Sequence, residues 1–220
     1  MSVSGLFLVL FLLFHMSMNL AAVFSMEPYN AICEFLGANW YALAGTLILA
    51  AGVVVHLVYA TVLTLHNRSS RGSQRYAMTA EPEGVTWASR NMYVLGIIIV
   101  LGLLLHLYNF WYNMQFAEII GNHELGPFPP ADGAAYIAAL FSSPVYCIIY
   151  LVWFAAIWFH LTHGFWSAFH TIGWDNQTWL PRLKRIANVV ATIVFLCFAL
   201  VVIVFYLRSL GVCGGSCAGF

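Results

Sequence analysis

The sequence predicts an all-α integral membrane protein with five transmembrane helices, on the basis of an apolar composition and five long apolar segments. Hydrophobic residues make up 62% of the 220 residues and charged residues only 7%, whereas a soluble domain carries about 25% charged residues. A membrane-spanning helix needs about 20 apolar residues. The segments that reach this length are 3–24, 39–65, 91–116, 145–169 and 186–207. The connections are too short to form a further folded unit, so residues 1–220 are expected to be a single membrane domain.

The first segment has the position of a secretory signal but not its pattern. No basic residue precedes it, its apolar run is longer than that of a signal peptide, and His15 and Asn19 lie within it. It is therefore predicted to be the first transmembrane helix. The middle three segments exceed the minimum length, which indicates helices that tilt or extend beyond the bilayer.

The placement of charge predicts the orientation. Successive spans alternate in direction, so the connection between the second and third segments shares one side with the connection before the fifth. Connections 25–38 and 117–144, on the other side, hold no Lys or Arg but several acidic residues. Because cytoplasmic connections carry the excess of Lys and Arg, the N-terminus and both basic connections are expected in the cytoplasm. These connections hold seven of the eight basic residues of the chain: Arg68, Arg71, Arg75, Arg90, Arg182, Lys184 and Arg185.

Each of the first four segments carries one histidine far from its ends, namely His15, His56, His106 and His160. An ionisable side chain inside a bilayer is costly, and by default it marks a functional site. Two imidazoles are the ligands that a six-coordinate haem iron needs above and below its plane. The first four helices are therefore predicted to form a bundle around two b-type haems, with these four histidines as the axial ligands of the iron.

The positions of the histidines along their segments sort them into two pairs. His15 and His106 each stand 12 residues before the acidic residue that opens an outer connection, whereas His56 stands 12 residues before a basic residue on the cytoplasmic side. With a rise of about 1.5 Å per residue, His106 lies about 6 Å farther from the cytoplasmic surface than His56. His56 and His160 each precede another histidine by ten residues in the cytoplasmic direction. The expected pairs are His15 with His106 near the outside and His56 with His160 near the cytoplasm.

Histidines also occur inside membranes for reasons that do not involve haem. A transmembrane histidine can simply hydrogen-bond a neighbouring helix, and a transporter can use histidines to relay protons. A di-iron desaturase or hydroxylase needs clustered histidines near the cytoplasmic surface, and only His160, His163 and His170 approach that pattern. His163 lies one turn from His160, so either residue could face a haem. His66 and His170 are expected at the cytoplasmic interface, near haem propionates or a quinone, and His123 in water.

Four short stretches around the central histidines carry a family resemblance: LFHMSMN at 13–19, VVHLVYA at 54–60, HLY at 106–108 and FHLTHG at 159–164. With these in register, the chain resembles the cytochrome b subunit of succinate dehydrogenase/fumarate reductase, in its single-subunit, five-helix, di-haem type found in Bacteroidetes. The resemblance covers essentially the whole chain in the number and order of helices and in the placement of histidines. In that family a glycine follows the fourth-helix ligand by four residues, which selects His160, followed by Gly164, over His163.

The resemblance implies a membrane anchor in the bacterial cytoplasmic (inner) membrane, surrounded by lipid, with a flavoprotein and an iron–sulfur subunit on its cytoplasmic face. Electrons would pass between the iron–sulfur clusters, two b haems and a quinone, usually menaquinone, as part of the respiratory chain and the tricarboxylic acid cycle. Succinate and fumarate would be handled by the flavoprotein, so no catalytic residue for that chemistry and no nucleic-acid partner are expected in this chain. A cytochrome b subunit of another respiratory dehydrogenase or hydrogenase is the alternative, against which the number and spacing of the helices argue.

A quinone pocket needs an apolar slot with hydrogen-bonding groups and a proton acceptor near a haem edge. On the outer side the best candidates are Glu34, Asn39 and Trp40, at the start of the second helix. A quinone site on that side would explain why two haems are needed to carry electrons across the membrane. On the cytoplasmic side the alternative candidates are His66, His170 and Trp174.

Three smaller features concern single positions near the predicted ligands and in the tail. Asn19 and Tyr59 lie about one turn beyond a predicted ligand and are candidates to hydrogen-bond its free ring nitrogen. Trp158 occupies the position, two residues before the fourth-helix histidine, where some members of the family carry a glutamate associated with proton movement. That role is therefore not carried over. Cys213 and Cys217 could close a small disulfide if the tail faces an oxidising compartment.

Overall fold

The computed structural model describes residues 1–37, 39–71, 86–174 and 176–212, which leaves the predicted Cys213–Cys217 pairing outside the described residues. Five helical stretches are long and apolar enough to cross a membrane. The predicted all-α membrane fold with five spanning helices is confirmed, and the described ranges contain no strand. The elements are α1 (Ser2–Phe24), α2 (Met26–Gly37), α3 (Trp40–Arg71), α4 (Trp87–Arg90), α5 (Met92–His106), a π-helix (Leu107–Phe116), α6 (Ala117–Ile120), α7 (Gly133–Phe141), α8 (Pro144–Thr171) and α9 (Trp179–Ser209).

The spanning helices begin and end at residues that suit helix ends. The third span runs from α5 through the π-helix and α6 and ends at Gly121, whose φ of +66° is a left-handed conformation that glycine adopts without strain. Pro144 occupies the first turn of α8, where its missing N–H costs no hydrogen bond. The last helix, α9, begins seven residues before the predicted segment, because its basic first turns remain helical. There Lys184 lies over the ring of Trp166 on α8, 4.6 Å from its centroid.

Two short helices, α2 and α7, occupy connections that the apolar pattern left without structure. They lie on the side of the molecule opposite to the basic connections, which we call the acidic side. The Asn30 side chain of α2 donates to the Asp132 carboxylate (2.7 Å) and accepts from the Ala134 amide (2.9 Å). Asp132 caps α7 by accepting from the Ala135 amide (3.1 Å), so two free amides at the start of α7 are satisfied. These bonds join α2 and α7 into what we call the platform.

The core is centred on α9, which packs along α8 and against α1. The largest fully buried side chains, Val194, Val202 and Phe205, all belong to α9. Phe198 of α9 stacks on Phe154 of α8 with ring centroids 5.2 Å apart. One face of the fifth span therefore supplies much of the core of the bundle, although this span carries no histidine.

The second span, α3, lies at the margin of the bundle. None of its most apolar 18 residues is buried within the protein, compared with 39% of the corresponding window of α9. Gly52 of α3 lies against the ring of Phe7 on α1, where any larger side chain would collide. Thr46 donates to the Gln115 side chain of the π-helix (2.8 Å). A few specific contacts thus position α3, and the remainder of its surface is free to meet lipid.

Arg208 ties the end of α9 to the end of α1. Its guanidinium donates to the carbonyl oxygens of Val23 (2.7 Å) and Ala22 (3.5 Å), and it lies over the Phe205 ring, 5.2 Å from the centroid. Carbonyls in the last turn of a helix have no partner within the helix and carry partial negative charge. Arg208, which is the one basic residue outside the basic connections, therefore caps the C-terminal end of α1.

Gly102 on α5 provides a direct test of the packing between α5 and α8. A Cβ at this position would overlap the indole of Trp153, whose ring nitrogen donates to the Ile99 carbonyl (3.0 Å). Gly102→Ala is expected to displace the indole and to destabilise the fold by about 1–3 kcal/mol, which lowers the denaturation midpoint of the detergent-solubilised protein by about 2 to 12 °C. Gly96 on the same helix has nothing within 4 Å of its would-be Cβ, so Gly96→Ala is the matched control and should be neutral or stabilising. Equal midpoints for the two variants would contradict this packing.

Candidate functional site

The first histidine pair joins α1 to α5. His15 and His106 face each other with ring centroids 5.7 Å apart and ring planes nearly perpendicular, at 88°. Aromatic rings surround the pair, and α9 contributes one of them. The rings in contact with His15 belong to Phe11 and Phe198, and those in contact with His106 belong to Phe110, Tyr150 and Trp153.

The second pair joins α3 to α8. His56 and His160 lie with ring centroids 6.4 Å apart and planes at 66°. The hydroxyl of Ser4, at the start of α1, lies 3.3 Å from His56 Nδ1. Gly5 allows this approach, because a Cβ there would lie 3.5 Å from His56 Cε1. Gly164 similarly borders His160, at 3.9 Å from its would-be Cβ to Cδ2.

The two pairs lie at different depths. Ser4 and His15 are 11 residues apart on α1, so the pairs are separated by about 16 Å along that helix. On α8, the Trp153 ring that contacts His106 precedes His160 by seven residues, or about 10 Å. The first pair is nearer the acidic side and the second nearer the start of α1, which is on the side of the basic connections. The structure thus brings together the histidines that were paired by depth, and their role as haem ligands stays a prediction.

The residues at both sites fit a metal held between two imidazoles. Each imidazole nitrogen lies about 2.0 Å from a metal that it binds. When the distance from that nitrogen to the centre of its ring is added on both sides, the centroids of two imidazoles that hold one metal lie about 6 Å apart. The observed separations of 5.7 and 6.4 Å bracket this value. The Nδ1 atoms of His106 and His160 are buried without a hydrogen-bond partner, which ordinarily costs about 1–3 kcal/mol each. Within the described ranges no third His, Cys, Asp or Glu joins either pair, so each pair would offer a metal two protein ligands.

The histidine next to the second pair faces elsewhere. His163 lies one turn beyond His160 and contacts the ring of Trp166 (5.1 Å, edge to face), whereas it is His160 whose ring faces His56. The geometry therefore favours His160, as the family resemblance does. The Nδ1 of His163 is also buried without a partner, so this residue requires an experimental control.

The remaining histidines lie near the ends of the spans. His66 is exposed near the end of α3, and His170 contacts the ring of Trp166. Trp174 stacks on Phe169. His123 is exposed on the acidic side, 3.7 Å from the Glu118 carboxylate.

The predicted outer quinone residues lie where α2 ends and α3 begins: Glu34 is in the last turn of α2, and Asn39 and Trp40 are at the start of α3. Glu34 and Trp40 are exposed, and Trp40 packs edge to face on Tyr41. The side-chain amide of Asn39 donates to the Phe35 carbonyl (2.6 Å), which also accepts from the Tyr41 hydroxyl (3.0 Å). The Asn39 side chain is therefore bonded to the last turn of α2. A quinone role for these three residues stays a prediction.

The backbone changes from α-helix to π-helix directly after His106. Such wide turns are uncommon, frequently mark functional sites, and rotate the following side chains relative to an α-helix. Here polar side chains of the π-helix face other helices. The Gln115 side-chain oxygen accepts from Thr46 and from the Trp111 indole (2.8 Å each), and Asn109 donates to the Tyr150 hydroxyl (3.2 Å). The apolar pattern of the sequence does not reveal the π-helix, because a run of apolar residues can form either an α-helix or a π-helix.

The sequence predicts only some of the polar side chains that lie beside the central histidines. The side-chain amide nitrogen of Asn19 lies 3.3 Å from His15 Nε2, as expected. Ser4 takes the corresponding place beside His56, while Tyr59 is 54% exposed. The Ser4 contact joins residues 52 positions apart, so no local spacing could have indicated it. Trp158, at the position of the family's glutamate, donates through its indole to Thr192 of α9 (3.0 Å).

Comparisons with protein-family models, with curated proteins and with solved structures find no match for this chain. The arrangement of the two histidine pairs within a five-span membrane protein is therefore the main basis on which a function can be proposed.

Proposed function

We propose that this chain is a di-haem cytochrome b, the membrane-anchor subunit of a succinate:quinone oxidoreductase (succinate dehydrogenase/fumarate reductase). The observation that carries the proposal is the meeting of four histidines, from four different spanning helices, in two facing pairs at two depths. When bound by two histidines, haem supplies one-electron transfer and has no open position for oxygen chemistry.

In this proposal His15 and His106 hold one haem iron, and His56 and His160 hold the other. All four side chains project from helices, which position a site more rigidly than loops do. The aromatic rings around His15 and His106 line the first site with apolar surface. An apolar, rigid surrounding limits the rearrangement that a change of charge at the iron would require, which suits electron transfer.

The depths of the pairs support transfer across the membrane. The pairs are about 10–16 Å apart along the helices, within a hydrocarbon core about 30 Å thick. The positive-inside rule places the basic connections in the cytoplasm, and there we place the flavoprotein and iron–sulfur subunits. This orientation puts the N-terminus in the cytoplasm and the acidic side outside the cytoplasmic membrane of a bacterium.

A quinone, by resemblance menaquinone, is the exchangeable partner in this proposal. Two carriers at two depths are needed when the quinone reacts on the side opposite to the soluble subunits. That consideration favours the acidic side, with Glu34, Asn39 and Trp40 as candidates, over the basic side with His66, His170 and Trp174. The Glu34 carboxylate is exposed, as an acceptor of protons from a quinol must be.

Optical spectra of histidine variants test the cofactor proposal. The purified chain is expected to show reduced-minus-oxidised bands of low-spin b haem, with two haems per chain by pyridine haemochrome. His56→Ala and His160→Ala should each remove the same component, while His15→Ala and His106→Ala should each remove the other, because removal of either ligand leaves the iron without one axial bond.

The matched control is His163→Ala, on the same helix as His160 and with a buried Nδ1 as well. It should leave both components in place. Loss of a component in this variant would contradict the assignment of α8, and a protein without b-type bands would sink the proposal. Co-purification with a subunit carrying covalent flavin separates a succinate or fumarate enzyme from other dehydrogenases and hydrogenases.

The orientation is testable by labelling single cysteines in a cysteine-free background. Asn122→Cys lies on the acidic side and Gln177→Cys on the basic side. A membrane-impermeant maleimide is expected to label Asn122→Cys in intact cells but Gln177→Cys only after lysis, since seven basic residues hold the basic side in the cytoplasm. The reverse pattern would show that the soluble partners dock on the acidic side.

The quinone candidates are tested by Glu34→Gln. If Glu34 accepts a proton from the quinol, this variant should oxidise a soluble menaquinol analogue at least about tenfold more slowly, with both haem bands unchanged. Glu27→Gln, on the same helix, is the control and should retain the rate. Equal rates for the two variants would remove Glu34 from the site.

A further inference from the structure

A partly buried chain of polar contacts connects the platform to the first histidine pair. On α1, the Asn19 amide nitrogen lies 3.3 Å from His15 Nε2 and also donates to the His15 carbonyl (2.8 Å). The Tyr29 hydroxyl of α2 donates to the Asn19 side-chain oxygen (3.2 Å). Tyr29 is only 8% exposed, so the contact is enclosed by protein although α2 itself is no membrane span.

The chain continues within α2. The Cys33 thiol lies beside the Tyr29 hydroxyl, close enough for each group to affect the pKa of the other. Burial raises the pKa of both groups above their ordinary values, so both are neutral and protonated at neutral pH. Gly133 of the platform closes over them, because a Cβ there would collide with Cys33 Sγ and would lie 3.0 Å from Tyr29 Cε1.

The chain can run in two directions, which differ in one bond. In the described direction Tyr29 O–H donates to Asn19, and the Asn19 amide nitrogen faces His15 Nε2 and donates to the His15 carbonyl. With the amide turned over, the bond to the His15 carbonyl is given up, the His15 N–H donates to the Asn19 oxygen, Asn19 donates to the Tyr29 oxygen, and the Tyr29 O–H is left to point toward the neighbouring Cys33 thiol. A histidine that binds a metal through one ring nitrogen carries its proton on the other and donates it. Metal binding at His15 therefore selects the second direction.

The second pair has a different partner. His56 Nδ1 lies beside the Ser4 hydroxyl, which donates to the Met1 carbonyl (2.8 Å) at the exposed first turn of α1. Ser4 belongs to a helix end, whereas Asn19 is held in place by Tyr29 from the platform. The hydrogen bonds of the two pairs are thus set by independent residues.

We propose that Tyr29 is a positioning residue, acting through Asn19 on His15, that holds the redox potential of the acidic-side haem below the value it would otherwise have. This inference rests on the proposed function. A ring N–H held in a hydrogen bond makes imidazole a stronger donor to iron, which stabilises the ferric state and lowers the midpoint potential. Without the Tyr29 hydroxyl the Asn19 amide loses its anchor and the bond weakens.

The test is an optical redox titration of the purified complex, with the acidic-side component identified by its loss in His15→Ala. Tyr29→Phe should raise the midpoint of that component and leave the other unchanged, with altered ferric EPR g-values for the same haem only. Ser4→Ala is the reciprocal control and should move only the component that is lost in His56→Ala.

A second pair of variants separates positioning from packing. Cys33→Ala should move the acidic-side midpoint in the same direction as Tyr29→Phe, and Cys33→Ser, which keeps a hydrogen-bonding group, should restore it. An unchanged acidic-side midpoint in Tyr29→Phe, or equal shifts of both components, would overturn the inference while the proposed function stands. Absence of b-type bands from the unmodified protein would overturn both.

Discussion

The structure depends on how four imidazoles are accommodated inside a membrane. A neutral imidazole carries one donor and one acceptor, and lipid tails can satisfy neither. Asn19 and Ser4 lie beside ring nitrogens of His15 and His56, whereas the Nδ1 atoms of His106 and His160 have no hydrogen-bond partner within the described part of the protein. Here each central histidine faces another across a helix interface, which links α1 to α5 and α3 to α8. Each link relates the depths of the two helices that it joins, and α9 fills the core beside α1 and α8.

The two ends of the bundle are built differently. On the acidic side the platform, Arg208 and the Asn30–Asp132 contact hold the helix ends, and the platform reaches His15 through Tyr29 and Asn19. On the basic side the Ser4 hydroxyl, in the exposed first turn of α1, lies beside His56. The two histidine pairs thus have different surroundings, and the proposed haems would need such a difference if one is to have a higher potential than the other.

The parts of this arrangement that the sequence predicts are those that depend on length and on helical rise. The five spans and the pairing of His15 with His106 follow from apolar length and from counting residues, since a helix converts sequence position into depth. The helices α2 and α7 are too short to give that signal, and they are fixed by side-chain contacts such as Asn30–Asp132, 102 positions apart in sequence. The Ser4–His56 contact and the turn to a π-helix after His106 likewise depend on tertiary packing.

The histidine pairs also differ in what they contribute to assembly. His15 and His106 belong to helices that the core already holds, since α1 packs on α9 and α5 on α8. His56 belongs to α3, whose most apolar residues are all unburied and whose fixed contacts are few, among them Gly52 with Phe7 and Thr46 with Gln115. A ligand that binds only the assembled state stabilises that state. In the proposed cytochrome, ligation between His56 and His160 would therefore contribute more to docking α3 than ligation between His15 and His106 would contribute to docking α1. The packed core sets the geometry of the pair on the acidic side, whereas a ligand held by the pair on the basic side would help to assemble the bundle around it.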